Sequence, residues 1–177
     1  MSPPLRTMNA RLRLACQRLG LARHEMRKLA RLAETPEALD DELLAFSGEA
    51  FRRHLHTLIA EGGDALPPHA LCMLVLHGEG ADLHHAVQIL NGGTRGHDIV
   101  ARTGRTGFTL LLRDCRISGA RAVGRRLAQA LREGCLPAGE GAVTWAVDDL
   151  HEAMRDGRPL ERLARRLAPP EKTIPLS

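Results

Sequence analysis

The chain has 177 residues, which suits one domain of ordinary size with an additional element. Hydrophobic residues make up 44% of it but aromatics only 2%, so its core must be built from Leu, Val, Ile and Ala around Phe46, Phe51, Phe108 and Trp145. A formal charge of +4, from 25 basic against 21 acidic residues, is too balanced to mark a dedicated nucleic-acid binder.

Residues 7–34 read as one helix. Met8, Leu12, Ala15, Leu19, Ala22, Met26, Leu29 and Ala33 recur at alternating steps of four and three, the pattern of a heptad seam. Such a seam suits a parallel dimer or packing on the domain behind it, and alanines at 15, 22 and 33 would make a weak zipper. The run Arg6, Arg11, Arg13, Arg18, Arg23, Arg27, Lys28 and Arg31 is better explained as a solvated helix face than as a nucleic-acid arm. Thr35-Pro36 ends the helix, because the residue before a proline avoids the α region. The chain therefore divides into an amphipathic helix over 1–35 and a domain over 36–177.

A second helix is expected from about Pro36 or Leu39 to Glu61, with Leu43, Leu44, Phe51, Leu55, Leu58 and Ile59 on its apolar face. Gly62-Gly63-Asp64 stops it. Ala70 to Leu76 is a continuous apolar run, as in a central strand. Asp82 caps a short helix through Leu90, closed by Asn91-Gly92-Gly93. Strands follow at His97–Thr103 and Gly107–Leu112, joined hairpin-style. Ser118 is expected to cap a helix to Glu133, with Gly134 at its C-terminus. Ala142 to Val147 reads as a strand, Leu150–Met154 and Leu160–Leu167 as helical, and Thr173–Leu176 as an edge strand. The order predicts an α+β fold: a ferredoxin-like single sheet with helices on one face, preceded by the long N-terminal helix.

From Asp98 to Leu112 the sequence DIVARTGRTGFTLLL resembles the central hairpin of GGDEF (diguanylate cyclase) domains. In that family a strand D-h-h-A-R-h, with h apolar, leads into the GGDEF turn and an apolar strand. Gly104 keeps the first glycine and Phe108 the phenylalanine, while Arg105, Thr106 and Gly107 replace the residues between. The helix SGARAVGRRLAQALRE and the strand AVTWAV are similar to the elements that follow. Asp41 to Phe51 is similar to the family's opening motif with one residue lost, and a heptad-like helix suits the coiled connectors that precede such domains. The resemblance covers about residues 40–176.

It implies a degenerate, shortened member. The family's cyclases hold two divalent metals on carboxylates of the first strand and of the signature turn, hard oxygen ligands for metal-assisted phosphoryl chemistry. From Ala65 to Ala81 the only carboxylate is Glu79, and the turn offers Thr106 and Gly107. The stretch from Leu76 to Gly104 is short by about one helix, the one that carries the guanine-reading residues. The implied chain is not an enzyme and takes no metal or cofactor. One feature survives: Arg95-Gly96-His97-Asp98 reads R-x-x-D, placed five residues before Gly104, where the family carries its inhibitory cyclic di-GMP site. There the Arg pairs with phosphate and guanine edges and the Asp accepts from guanine N–H groups. Arg102 and Arg105 could add charge. The bland alternative is that Arg95 is a loop residue on a solvated edge.

Other constellations carry less. No His pair has i,i+4 spacing within a helix, and the cysteines at 16, 72, 115 and 135 form no CxxC pair, which argues against a metal site. Ser47 and Ser118 read as turn or cap residues, and Asp148-Asp149 as a cap. The N-terminus has no apolar signal region and the longest apolar run is too short to cross a bilayer, so the expectation is a cytoplasmic protein with reduced thiols. Three readings stay open: a cyclic di-GMP-binding signalling module, a protein-interaction domain that dimerises or docks a partner through Met8, Leu12, Leu19, Met26 and Leu29, and a nucleic-acid-associated regulator using the basic first helix.

Overall fold

The computed structural model of the chain describes residues 40, 42–43, 45–62, 66–137, 141–155 and 157–167. The seam from Met8 to Leu29 and the strand expected at 173–176 lie outside the described residues. In chain order the elements are β1 (Phe46–Ser47), α1 (Gly48–Gly62), β2 (Ala70–His77), α2 (Leu83–Gly92), β3 (Ile99–Arg102), β4 (Gly107–Leu112), α3 (Ile117–Cys135), β5 (Ala142–Asp149), α4 (Leu150–Met154) and α5 (Pro159–Arg166).

The apolar run of β2 places it at the centre of the sheet, whose order is β1-β3-β4-β2-β5. β2 is antiparallel to β4, with Leu74 opposite Phe108, and to β5, with Leu74 opposite Trp145. β3 and β4 form the expected hairpin, and β1 adds a short parallel edge with Phe46 opposite Ala101. Alternate residues of β2 point to opposite faces. Cys72, Leu74 and Leu76 join Phe108 and Leu110 under α2 and α3, whereas Leu71 and Met73 join Leu111 under α1, α4 and α5.

The expectation of helices on one face thus holds for α2 and α3 only. The second face is apolar too, and Phe51, Leu55, Leu150 and Leu163 cover it with the other three helices. The second helix also begins later than expected. The Asp40 carboxylate accepts the amides of Glu42 and Leu43, both at 3.0 Å, a local turn that competes with helix. Phe46–Ser47 then pairs with β3, and Ser47 Oγ accepts the Ala50 amide at 3.2 Å, so the helix is capped at Ser47. Leu43 consequently packs on the α2–α3 face, away from α1.

Helix α3 starts one residue before Ser118, with Arg116 in the capping position and no side-chain cap, so Ser118 is not its cap. Gly134 lies inside the helix, which runs on to Cys135. What Gly134 supplies is proximity: a Cβ there would stand 2.9 Å from Ile89 Cδ1 and 3.2 Å from His85 Nε2 of α2. Gly124 does the same against the sheet, where a Cβ would stand 2.7 Å from Trp145 Cε3 and 3.2 Å from Cys72 Sγ. Asp149 caps α4 as expected, accepting from His151 and Glu152. Asp148 has a different task. It is 3% exposed and its carboxylate meets Arg162 Nε and Arg166 Nη1 of α5, each at 2.8 Å.

Leu74 is fully buried, opposite Phe108 on β4 and Trp145 on β5. Leu74→Ala should cost about 2–5 kcal/mol, the usual range for a buried Leu truncation. In urea melts the midpoint should fall while the slope stays unchanged.

Candidate functional site

A cleft lined by three arginines lies where the end of α2, the start of β3, the end of β4 and the first turns of α3 meet. It encloses about 400 Å³, and Arg95, Asp98, Arg113, Cys115, Gly119 and Arg126 are among its walls.

Its rim is set by the end of α2. Gly93 donates its amide to Ile89 O at 2.8 Å, and Thr94 Oγ1 donates to Leu90 O at 2.8 Å. The chain then turns through Arg95–Asp98, closed by the Asp98 amide on Arg95 O at 3.1 Å. The Asp98 carboxylate is 5% exposed. A buried carboxylate must be hydrogen-bonded, and this one accepts two backbone amides: Arg95 N on Oδ2 at 2.8 Å and Arg113 N on Oδ1 at 3.1 Å. It therefore ties the start of β3 to the residue just after β4, and fixes the backbone from which two arginines project.

The structure brings Arg95 and Asp98 together but not Arg102. Arg102 stands at the far end of β3, roughly 13 Å along the strand from Asp98. Its Nη1 pairs with Glu42 at 2.8 Å and Asp40 at 3.3 Å, and its Nη2 donates to Arg105 O at 3.3 Å. Arg102 thus braces the turn and adds no charge to the cleft.

Two residues that the sequence reading did not name, Arg113 and Arg126, line the cleft. Arg126 of α3 reaches back across the cleft and donates to Gly93 O at 2.6 Å. Arg113 follows β4, and its Nη2 bonds to His54 Nε2 at 3.0 Å while its Nε is buried without a partner. Helical spacing was a usable signal for Arg126, since Gly119, Val123 and Arg126 fall on one flank of α3. Nothing in the sequence announced Arg113.

The electrostatics suit an anion. Arg95 is exposed, and its guanidinium has no ion pair among the described residues. Guanidinium groups offer forked donors that match phosphate oxygens. Cys115 is not a ready nucleophile: burial, and then the Asp98 charge, raise its pKa, against a smaller lowering by Arg95. His54 has a lowered pKa, through burial first and the Arg113 charge second, which keeps it neutral as the acceptor for Arg113.

The signature turn lies at the opposite end of the hairpin. Thr103 N and Gly104 N both donate to Gly107 O, at 2.9 and 3.2 Å, and Thr106 O accepts the Leu76 amide at 3.0 Å. Phe108 is fully buried under α3, Arg105 is exposed, and His77 closes β2 with its Nε2 on Thr144 Oγ1 at 2.8 Å. The donors at this end do not fit a pair of divalent cations. Thr106 and Gly107 carry no carboxylate, and the acidic side chains tied to the turn, Asp40 and Glu42, are held by Arg102. Among the described residues no three His, Cys, Asp or Glu side chains are grouped to hold a metal. Cys72, Cys115 and Cys135 are free thiols, and no described helix is long and apolar enough to cross a membrane.

A five-stranded sheet in this order, with an anion-suited cleft beside the β3 start, defines a nucleotide-cyclase-like α+β domain. Solved structures specify the fold further. The diguanylate cyclase SiaD from Pseudomonas aeruginosa, in complex with its activator SiaC, matches with a TM-score of 0.55 and 17% identity, covering 88% of this chain and 71% of that one. The FimX GGDEF domain from the same organism matches with a TM-score of 0.56 and 15% identity, covering 73% and 88%. The coiled coil and GGDEF domain of DgcB from Caulobacter crescentus, in complex with cyclic di-GMP, matches with a TM-score of 0.56 and 13% identity, covering 85% and 95%. The chain has the GGDEF-domain fold. No protein-family model and no curated protein sequence matches it.

Two predictions follow from the geometry. His54 has a folded pKa below its ordinary 6.5, so below that pH the unfolded chain binds more protons than the folded one. Its contribution to stability is complete above pH 6.5 and is lost as pH falls through the folded value. Urea midpoints measured across this range should show the loss, and His54→Gln should flatten it. Burial pushes the Cys72 thiol up to about 12 and the Cys135 thiol up to about 11. In a Cys16→Ser background, a thiol reagent at neutral pH should label Cys115 first, and Cys72 and Cys135 only on unfolding.

Proposed function

We propose that the chain is a non-catalytic cytoplasmic signalling module, which binds cyclic di-GMP in the cleft between α2, β3 and α3. The observation that carries this reading is the placement of Arg95 and Arg126 on the cleft beside a loop pinned by Asp98. Arg95, on the loop after α2, and Arg126, on α3, would each take one phosphate of the dinucleotide. Asp98 works mainly through the backbone it holds, since both its oxygens already accept amides. That DgcB is seen with cyclic di-GMP on the same fold supports the choice of ligand.

The non-catalytic half of the proposal rests on donor chemistry. Thr106 and Gly107 occupy the turn, and the acidic groups near it are neutralised by Arg102. Catalysis of phosphoryl transfer depends on charge neutralisation at the reacting phosphates, which these residues cannot supply.

A second reading is a protein-interaction domain, dimerising or docking a partner through the first 35 residues. SiaD, which shares the fold, is seen with an activator protein. A nucleic-acid role for the basic first helix is a third, and would require affinity that falls steeply with salt.

Calorimetry with cyclic di-GMP separates them. The wild type should bind, and Arg95→Ala and Arg126→Ala should each weaken binding about 10- to 100-fold, the loss of one charged hydrogen-bonding group. GTP incubated with the protein and magnesium should stay unconverted. Absence of binding by the wild type would favour the interaction-domain reading, and conversion of GTP would overturn the non-catalytic one.

A further inference from the structure

Among the described residues β5 forms one border of the sheet, and part of its outer ladder has no partner there. In an antiparallel pair, alternate residues direct their backbone groups to the partner strand and the others direct theirs away. Arg166 Nη1 donates to Val147 O at 3.4 Å, and Asp148 Oδ1 accepts the Asp149 amide at 3.0 Å. Residues of this parity therefore face outwards. Leu76, opposite Val143, gives its amide to Thr106 O on the far side, as the same alternation requires. The outward set is Val143, Trp145 and Val147. Its C-terminal end is stoppered by Arg166 and Asp148, but from Val143 to the Val147 amide the backbone groups have no partner among the described residues. An unpaired strand edge is a template for a further strand.

The surroundings of this edge are specific in charge. Gly119, Val123 and Arg126 mark the flank of α3 that faces the cleft, and Gly124 marks the line that lies on Trp145. Arg121, Arg125 and Arg132 fall on the other flank, towards β5, and all three are exposed. None makes an ion pair among the described residues. On the same side of the sheet Val143, Trp145 and Val147 present half-buried apolar side chains. Backbone donors and acceptors, an apolar strip and a cationic stripe thus run side by side.

We infer that the β5 edge over Val143–Val147 is a docking site for an extended, acidic segment of a partner protein, which adds as a further strand with its carboxylates on Arg121, Arg125 and Arg132. Main-chain bonds supply the attachment and the arginine stripe selects the sequence, as in other strand-addition interfaces. A second copy of this chain fits less well, because pairing β5 with β5 would bring two arginine stripes together.

The test is hydrogen exchange on the full chain, read residue by residue, with two short labelled peptides as probes: valine alternating with glutamate, and valine alternating with lysine. The glutamate peptide should bind and slow exchange at the amides of Val143, Trp145 and Val147. Thr144 and Ala146, already bonded to β2, should not change. The lysine peptide should not bind. Arg121→Glu with Arg125→Glu should weaken the glutamate peptide at least about tenfold without altering the thermal midpoint or cyclic di-GMP affinity. Equal binding of both peptides, binding without protection of β5, or no binding at millimolar peptide would each overturn the proposal. So would protection of these amides in the free chain, whether it depends on protein concentration, pointing to a second copy, or is lost on removing residues 168–177, pointing to the chain's own end.

Discussion

The constraint on which the structure rests is that β2 is apolar on both faces and paired on both edges. A strand of this kind cannot tolerate a bare side, because each face left open would expose a row of Leu, Met and Cys side chains. β4 and β5 satisfy its backbone, α2 and α3 cover one face, and α1, α4 and α5 cover the other. The cleft then arises at a margin of the first layer, where α2 ends and the first turns of α3 have not yet closed over the sheet. Its polar lining is a consequence of that position, since residues there can reach water while their backbones are held by the core.

Much of this was legible in the chain. The central strand, the hairpin, α2 with its Asp82 cap and the long amphipathic α3 follow from apolar spacing and turn residues. What was not legible depends on through-space contacts. The start of α1 was misplaced because the residues before it have helical apolar spacing, while Asp40 and the pairing of Phe46 with Ala101 draw them into a turn and a strand. Gly134 looks like a helix stop and is instead a point of close approach between two helices. The R-x-x-D pair was visible as a motif, but the inward role of Asp98 was not, because its partners are the amides of Arg95 and of Arg113, a residue remote in sequence. Arg102 looks close to Asp98 in sequence and is separated from it by the length of a strand.

Two groups of arginines stand apart. Arg102, Arg162 and Arg166 are spent on carboxylates and hold the turn and the last helix in place. Arg95, Arg121, Arg125 and Arg132 have no such partner among the described residues and stand at the surface. A modest net charge therefore conceals two separate cationic regions, one in a concave cleft and one along an open strand. The first suits a small, doubly charged ligand and the second an extended one.

The pairing of Ala70 with Asp149 sets the order of events during synthesis. β2 leaves the ribosome long before β5 exists, and the contacts that close the sheet join residues far apart in the chain. Folds dominated by such distant pairings form slowly. In the interval the nascent chain carries a hydrophobic strand with one edge unpaired and one face covered by α1 alone, since α4 and α5 come later still. The ion pairs of Asp148 with Arg162 and Arg166 close last, and bring Leu160 and Leu163 onto the apolar face that α1 and α4 leave partly bare.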